Sequence, residues 1–259
     1  MNIMNINNKD KVTLFITSCG RPDLLKKTLI SFVKFNTYPI EQVILCEDSG
    51  ISGISDFATN ILPYPTKLCY NKERIGQMKT IEKYIKLVKT PYVFHLEDDY
   101  EFFDYGFIEL SIQILNSDKN ISQVLLEDEQ HGYYKVDIGN PLCYKILGDD
   151  PNDPNISELN NGNGAMSCYS WRPSLKPLEI ALLRIPYKDW DDEYTLELEI
   201  NKRGYYSVIT NNITKDNKYG FCTHIGKKHH IPYEIPNCNR KILSRKDFPD
   251  KINIGINDI

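Results

Sequence analysis

The chain has 259 residues, of which 41% are hydrophobic, 25% charged and 11% aromatic. That composition is globular and excludes a disordered, collagen-like or disulfide-scaffold chain. Lys and Arg number 31 against 35 Asp and Glu, a net charge of −4, too near balance for the broad positive field that nucleic-acid binding needs.

Val12-Thr-Leu-Phe-Ile-Thr17 is a short apolar, β-branched run, and Ser18-Cys-Gly-Arg21 followed by Pro22-Asp23 is a turn with Pro at a helix start. Leu25, Leu29 and Phe32 then fall on one helical face, which ends before Tyr38-Pro39. Val43-Ile-Leu-Cys46 is a second buried strand, closed by Glu47-Asp48. After Leu62-Pro-Tyr-Pro65 comes a third strand, Lys67-Leu-Cys-Tyr70. A helix from about Gln77 follows, with Met78, Ile81, Ile85 and Val88 on one side, until Thr90-Pro91 stops it. Tyr92-Val-Phe-His-Leu96 is the fourth strand and runs into Glu97-Asp98-Asp99. Repeated strand and helix units of this kind predict an α/β fold, a mostly parallel sheet with helices on both faces.

Ile108, Ile112 and Leu115 mark a further helix and Ile121 to Leu126 a further strand. From Gly139 to Gly164 the pattern gives way to Pro, Asn, Asp and Gly, too long for an ordinary connection and therefore a functional loop or a lid. Trp190 to Arg203 reads as a helix with Leu196 and Ile200 inward, and Tyr205 to Ile209 as a strand. The tail beyond Tyr233 is basic and polar, without a period.

The first ten residues hold no apolar run long enough for a signal peptide, and nowhere does the chain hold an apolar run of about eighteen residues. A cytoplasmic protein with no transmembrane segment is expected. Seven cysteines, an odd number without a C-x-x-C pair, fit neither a disulfide framework nor a zinc knuckle.

In a parallel sheet, ligands sit beyond the carboxyl ends of the strands. Those ends offer Thr17-Ser18-x-x-Arg21, Glu47-Asp48, Asn71-Lys-Glu-Arg74 and Glu97-Asp98-Asp99. Acids are 35 of 259 residues, so about five acid-x-acid triplets are expected by chance, and the triplet alone carries nothing. Its place does: adjacent carboxylates ending an apolar strand repel one another, and an oxygen-preferring divalent cation relieves that repulsion. A second acidic cluster, Asp189-Trp-Asp-Asp-Glu193, opens the helix of Leu196. It is either a dipole-stabilised helix start or the seat of a general base. His224 lies in Phe221-Cys-Thr-His-Ile-Gly-Lys-Lys-His-His230, a solvated basic loop or a contact for diphosphate or metal. No P-loop, G-x-S-x-G or H-E-x-x-H motif occurs.

These strand ends, in this order, resemble the GT-A nucleotide-sugar glycosyltransferases, particularly those of family 2, from Lys11 to Ile225. The resemblance implies a Rossmann-like GT-A domain over residues 1–259. Its nucleotide-sugar half would be 11–100, its acceptor and catalytic half 101–235, and 236–259 a tail. It implies nucleotide contacts from Thr17, Ser18, Arg21, Asp48, Arg74, Lys79 and Asp98, with Asp48 as the acid that recognises the base. Leu96-Glu97-Asp98-Asp99 looks like the D-x-D sequence with Glu97 in the first place, so Asp99 would be the metal ligand, with Glu97 beside it and His224 as a further contact. Gly162 to Ser167, then Trp171-Arg172, is similar to the segment bordering donor sugar and acceptor. Asp192-Glu193-x-x-Leu196, closed by Arg203-Gly204-Tyr205, is similar to the element that holds the catalytic base, its two acids in reversed order; the base is Glu193 or Asp192. The implied activity is metal-dependent, inverting transfer of a sugar from a nucleoside diphosphate donor, a UDP-sugar, to a hydroxyl of a glycan or other acceptor, with Mn2+ or Mg2+. A sugar-nucleotide pyrophosphorylase and a silent nucleotide- or carbohydrate-binding protein are the alternatives.

Overall fold

The computed structural model describes residues 10–127, 134–148, 166–187 and 193–226, all within the compact unit Met1–Gly226. Seven strands and four helices make its first half and middle: β1 Val12–Ser18, α1 Pro22–Phe35, β2 Ile40–Glu47, α2 Ala58–Ile61, β3 Thr66–Tyr70, α3 Gln77–Tyr84, β4 Tyr92–Glu97, β5 Tyr100–Phe102, α4 Phe107–Ser117, β6 Ile121–Leu125 and β7 Tyr134–Val136. There follow β8 Cys143–Leu147, β9 Ser174–Pro177, α5 Leu178–Ala181, α6 Glu193–Lys202, β10 Tyr206–Thr210 and β11 Cys222–His224.

The main sheet runs β3-β2-β1-β4-β9-β6-β10-β8-β7, and β11 pairs with β5 in a separate two-stranded sheet. Pairings β3-β2, β2-β1, β1-β4 and β6-β10 are parallel, while β9 lies antiparallel between β4 and β6, and β8 antiparallel between β10 and β7. All the main-sheet strands except β9 and β8 therefore point the same way. The central strands are largely apolar because both of their faces are covered: β1 and β6 are buried at every position. On one face Leu14, Ile16 and Phe94 pack under α1 (Leu25, Leu29, Phe32) and α4 (Phe107, Ile108, Ile114). On the other, Phe15, Ile44 and Val93 pack under α3 (Ile81), α5 (Ile180) and α6 (Leu196, Ile200).

The mostly parallel sheet covered on both faces is as expected, but two regions differ from the sequence reading. The stretch begun at Gly139 contains β8, held by pairing with β10 through Ile209↔Tyr144 and Thr210↔Cys143; residues 149–164 lie outside the described residues. β9 is the other, a strand inserted against the parallel direction. Its sequence, Ser-Leu-Lys-Pro, has neither the length nor the alternation that announces a strand. Its reversal brings its amino end, and the residues just before it, to the edge where β1, β2, β4 and β6 end.

Candidate functional site

Glu97 ends β4, and the pleat sends Val93, His95 and Glu97 to the α3/α6 face while Asp98 and Asp99 turn across the sheet edge. Asp98 is buried, and its Oδ2 accepts from Ser18 Oγ at 3.1 Å, the Cys19 amide at 3.2 Å and Arg21 Nε at 3.3 Å. Arg21 closes a fork by giving Nη2 to Asp98 Oδ1 and Nη1 to Asp99 Oδ2, the latter at 2.8 Å. This planar, two-pronged hold is one that lysine could not make. Burial pushes the Asp98 carboxyl up to about 6, against the pull of Arg21; it is ionised at neutral pH.

Asp99 Oδ2 also lies 3.0 Å from His224 Nε2. The β5-β11 pairing places His224 opposite Tyr100, whose ring centre is 5.1 Å from the imidazole. The Ile225 amide donates to the Asp99 carbonyl at 2.8 Å. Burial pushes Asp99 up, but the His224 hydrogen bond and the Arg21 guanidinium outweigh it and hold the carboxyl below its ordinary value. Gly226 borders the pair: a Cβ there would stand 2.2 Å from Asp99 Oδ2 and 2.9 Å from His224 Nε2. Only a residue without a side chain can stand this close to both. Glu97 accepts from Gln77 Nε2 at 3.0 Å. Burial, then Asp99 and Glu193, push its pKa well above the carboxylate range.

Glu193 opens α6, and its Oε1 accepts from the Trp171 amide at 2.7 Å and Ser170 Oγ at 3.3 Å. Its charge acts on Glu97, so the acid of the helix and the acids of β4 belong to one neighbourhood. Asp192 and the rest of 188–192 lie outside the described residues, as do Gly162 to Gly164 and the cationic residues 227–230.

Besides Ser18 and Asp98, three more of the candidate nucleotide contacts direct their polar atoms inward. Asp48 accepts from Asn71 Nδ2 at 2.8 Å and the Ile75 amide at 2.9 Å on Oδ1, and from the Gly76 amide at 2.8 Å on Oδ2. It holds the 71–76 loop in place. Thr17 Oγ1 meets His95 Nε2 inside the sheet at 3.3 Å. Lys79 donates to the Tyr187 carbonyl at 2.7 Å, joining α3 to the segment after α5. Arg74, by contrast, lies close enough to Cys19 for its charge to act on that thiol, at the β1–α1 loop.

Glu127 went unnoticed in the sequence. It is buried just beyond β6, accepts from Arg172 Nη1 at 2.8 Å and from Tyr100 OH at 3.2 Å, and so links Arg172 to the ring that lies against His224. The rule that found the other strand ends applies to it too, since it follows the apolar end of a strand, Val124-Leu-Leu126. Lys176 gave no signal at all; it is buried inside β9.

Among the described residues, no three His, Cys, Asp or Glu side chains are grouped to hold a metal ion. Asp99 and His224 supply an oxygen and a nitrogen 3.0 Å apart, crowded by no side chain at Gly226. A divalent cation that takes its other ligands from a phosphate and water fits that donor pair.

No protein-family model matches the sequence, and no curated protein matches it. Among solved structures, the mannosyltransferase PcManGT from Pyrobaculum calidifontis, in complex with GDP-Man and Mn2+, matches over 85% of this chain and 58% of its own, at 15% identity and a TM-score of 0.54. GalNAc-T7, with UDP, GalNAc and Mn2+, matches over 83% of this chain and 43% of its own, at 14% identity and a TM-score of 0.55. The chain thus spans little more than half of the first and under half of the second. At such identities the likeness is one of architecture, and it shows that this chain has the GT-A fold of nucleotide-sugar glycosyltransferases.

Proposed function

We propose that the protein is a glycosyltransferase that moves a sugar from a nucleoside diphosphate sugar, a UDP-sugar first among the candidates, to a hydroxyl acceptor with inversion. The observation that carries the reading is the convergence of Asp99, Arg21 and His224 at the carboxyl edge of the sheet, with Glu193 facing the same neighbourhood from α6. Both structural neighbours hold Mn2+ with a nucleotide or nucleotide sugar. Asp99 and His224 would hold a Mn2+ or Mg2+ here, and such an ion neutralises charge on a departing diphosphate. Ser18, Arg21 and Arg74 line the approach from the β1–α1 side, where Arg21 can turn from Asp99 to a phosphate oxygen. Glu193 would take the proton from the attacking hydroxyl, its carboxylate steadied by Trp171 N and Ser170 Oγ. One displacement inverts the anomeric carbon.

A panel of nucleotide sugars, each with Mn2+, tests the reading by melting temperature and by release of nucleoside diphosphate. Glu193→Gln should keep donor binding while turnover falls about 10² to 10⁴-fold. A panel in which no nucleotide sugar raises the melting temperature or is turned over refutes the activity. Unchanged turnover in Glu193→Gln removes the base.

A further inference from the structure

Lysine is almost never fully buried unless paired, yet Lys176 has no exposed surface in the middle of the sheet. It stands opposite Val93 of β4, on the α3/α6 face. Its ammonium lies 4.1 Å from the Trp171 ring centre and 4.8 Å from that of Tyr169, and it donates to the Ser170 carbonyl at 3.0 Å. Aromatic faces attract a cation strongly once water is gone; burial lowers the ammonium to about 7, and the fields of Glu193 and Glu97 only partly offset that. An apolar residue of the same length would fill the site without the desolvation penalty of the charge, so stability alone gives no reason for a lysine.

What the ammonium holds supplies one. All three of its contacts fall on consecutive residues, 169–171, and two of these grip Glu193: the Trp171 amide and Ser170 Oγ both donate to Oε1. Neither grip depends on a regular strand, because the segment precedes β9. Glu197 Oε2 takes the Tyr169 amide at 3.4 Å, and Lys176 is the element beneath that touches all three residues of the segment. With Oε1 taken by these two donors, Oε2 is the oxygen that can face an acceptor.

We propose that Lys176 is a positioning residue for Glu193: by clamping Tyr169, Ser170 and Trp171 it aims the Trp171 amide and the Ser170 hydroxyl at Oε1 and fixes the direction of the carboxylate. This rests on Glu193 being the general base. The side chain acts at one remove and touches no reacting atom.

The test compares wild type, Lys176→Met, Glu193→Gln and the double variant, by amide hydrogen exchange across 169–172 and by steady-state turnover of the nucleotide sugar. Methionine keeps the length and apolar stem and removes the charge, so the fold is retained. Exchange at the Trp171 amide should quicken at least tenfold while β4 is unchanged. Turnover should fall at least tenfold with donor KM within about twofold, and the double variant should be no slower than Glu193→Gln. Lys176→Gln carries the same test should the methionine variant not fold. Wild-type exchange at Trp171, or a rise in donor KM with kcat unchanged, overturns the proposal. If Glu193→Gln leaves turnover intact the base reading falls by itself, and the exchange measurement still decides whether Lys176 sets the carboxylate's direction.

Discussion

Asp48 is the residue for which sequence and structure suggest different perturbations. Removing its carboxylate by Asp48→Ala strips the acceptor from two backbone amides, Ile75 and Gly76, at 2.9 and 2.8 Å. Asn71 loses less, because its Nδ2 keeps Thr80 Oγ1 at 2.8 Å. Each hydrogen bond to a charged acceptor contributes about 1.5 to 3 kcal/mol. The two amides are only part-buried, so water recovers some of this, and a loss of about 3 kcal/mol is expected. Gly76, with φ of +89°, sits directly before α3, so the start of that helix should loosen as well. Urea denaturation at constant slope measures the loss as a shift in midpoint. Asp48→Asn, which keeps one acceptor oxygen, should lose about half as much. If Asp48→Ala is within about 0.5 kcal/mol of wild type yet binds nucleotide poorly, the carboxylate serves a ligand and the loop argument is wrong.

Gly226→Ala places a Cβ against Asp99 Oδ2 and His224 Nε2, forcing both side-chain ends aside. Calorimetry should show Mn2+-dependent nucleotide binding weakened at least tenfold with the melting temperature nearly unchanged, and equal binding would refute the crowding argument. Burial lowers the Lys176 ammonium from 10.5 to about 7, so between those values the unfolded chain holds a proton that the folded chain has released. Stability therefore rises with pH in that window and is lost as pH falls through about 7, a change on the order of 1 to 2 kcal/mol from pH 7 to about 8.5. Lys176→Met should lack that increment in urea titrations at the two pH values, and identical slopes for both proteins would refute it. Chelating divalent ions should weaken binding of a nucleoside diphosphate at least tenfold, which titration without and with added Mn2+ checks; equal affinity would exclude a bridging ion.

The parallel half of the sheet was legible because the middles of β1, β2 and β4 are buried on both faces and so carry runs of apolar residues. Their ends were legible for the same reason, since a carboxylate after such a strand stands out. β9, β8 and β5 were not. They are short, and their places are set by pairing with residues far along the chain, such as Leu175 with Phe94 and Val124. The acids of the site could be found, but their partners could not: nothing local ties Arg21 to Asp98, 77 residues on, or His224 to Asp99, 125 residues back. Asp48 shows the converse, a strand-end acid whose partners are amides, and backbone amides leave no mark in a sequence.

The charge balance of the site ties its acids to the proposed divalent cation. Asp98, pushed up to about 6, and Asp99, held below its ordinary value, carry charge at neutral pH, while burial, then Asp99 and Glu193, push Glu97 well above the carboxylate range. Arg21 offsets one of the two charges, so the cluster is left with negative charge, and even a protonated His224 would bring it only to neutrality. A diphosphate approaching such a cluster alone meets repulsion or indifference. A divalent cation held by Asp99 and His224, as proposed above, would make the same residues a positive site, to which Arg21 would add a fork shaped for phosphate. The arrangement thus suits an anionic ligand that arrives with a cation.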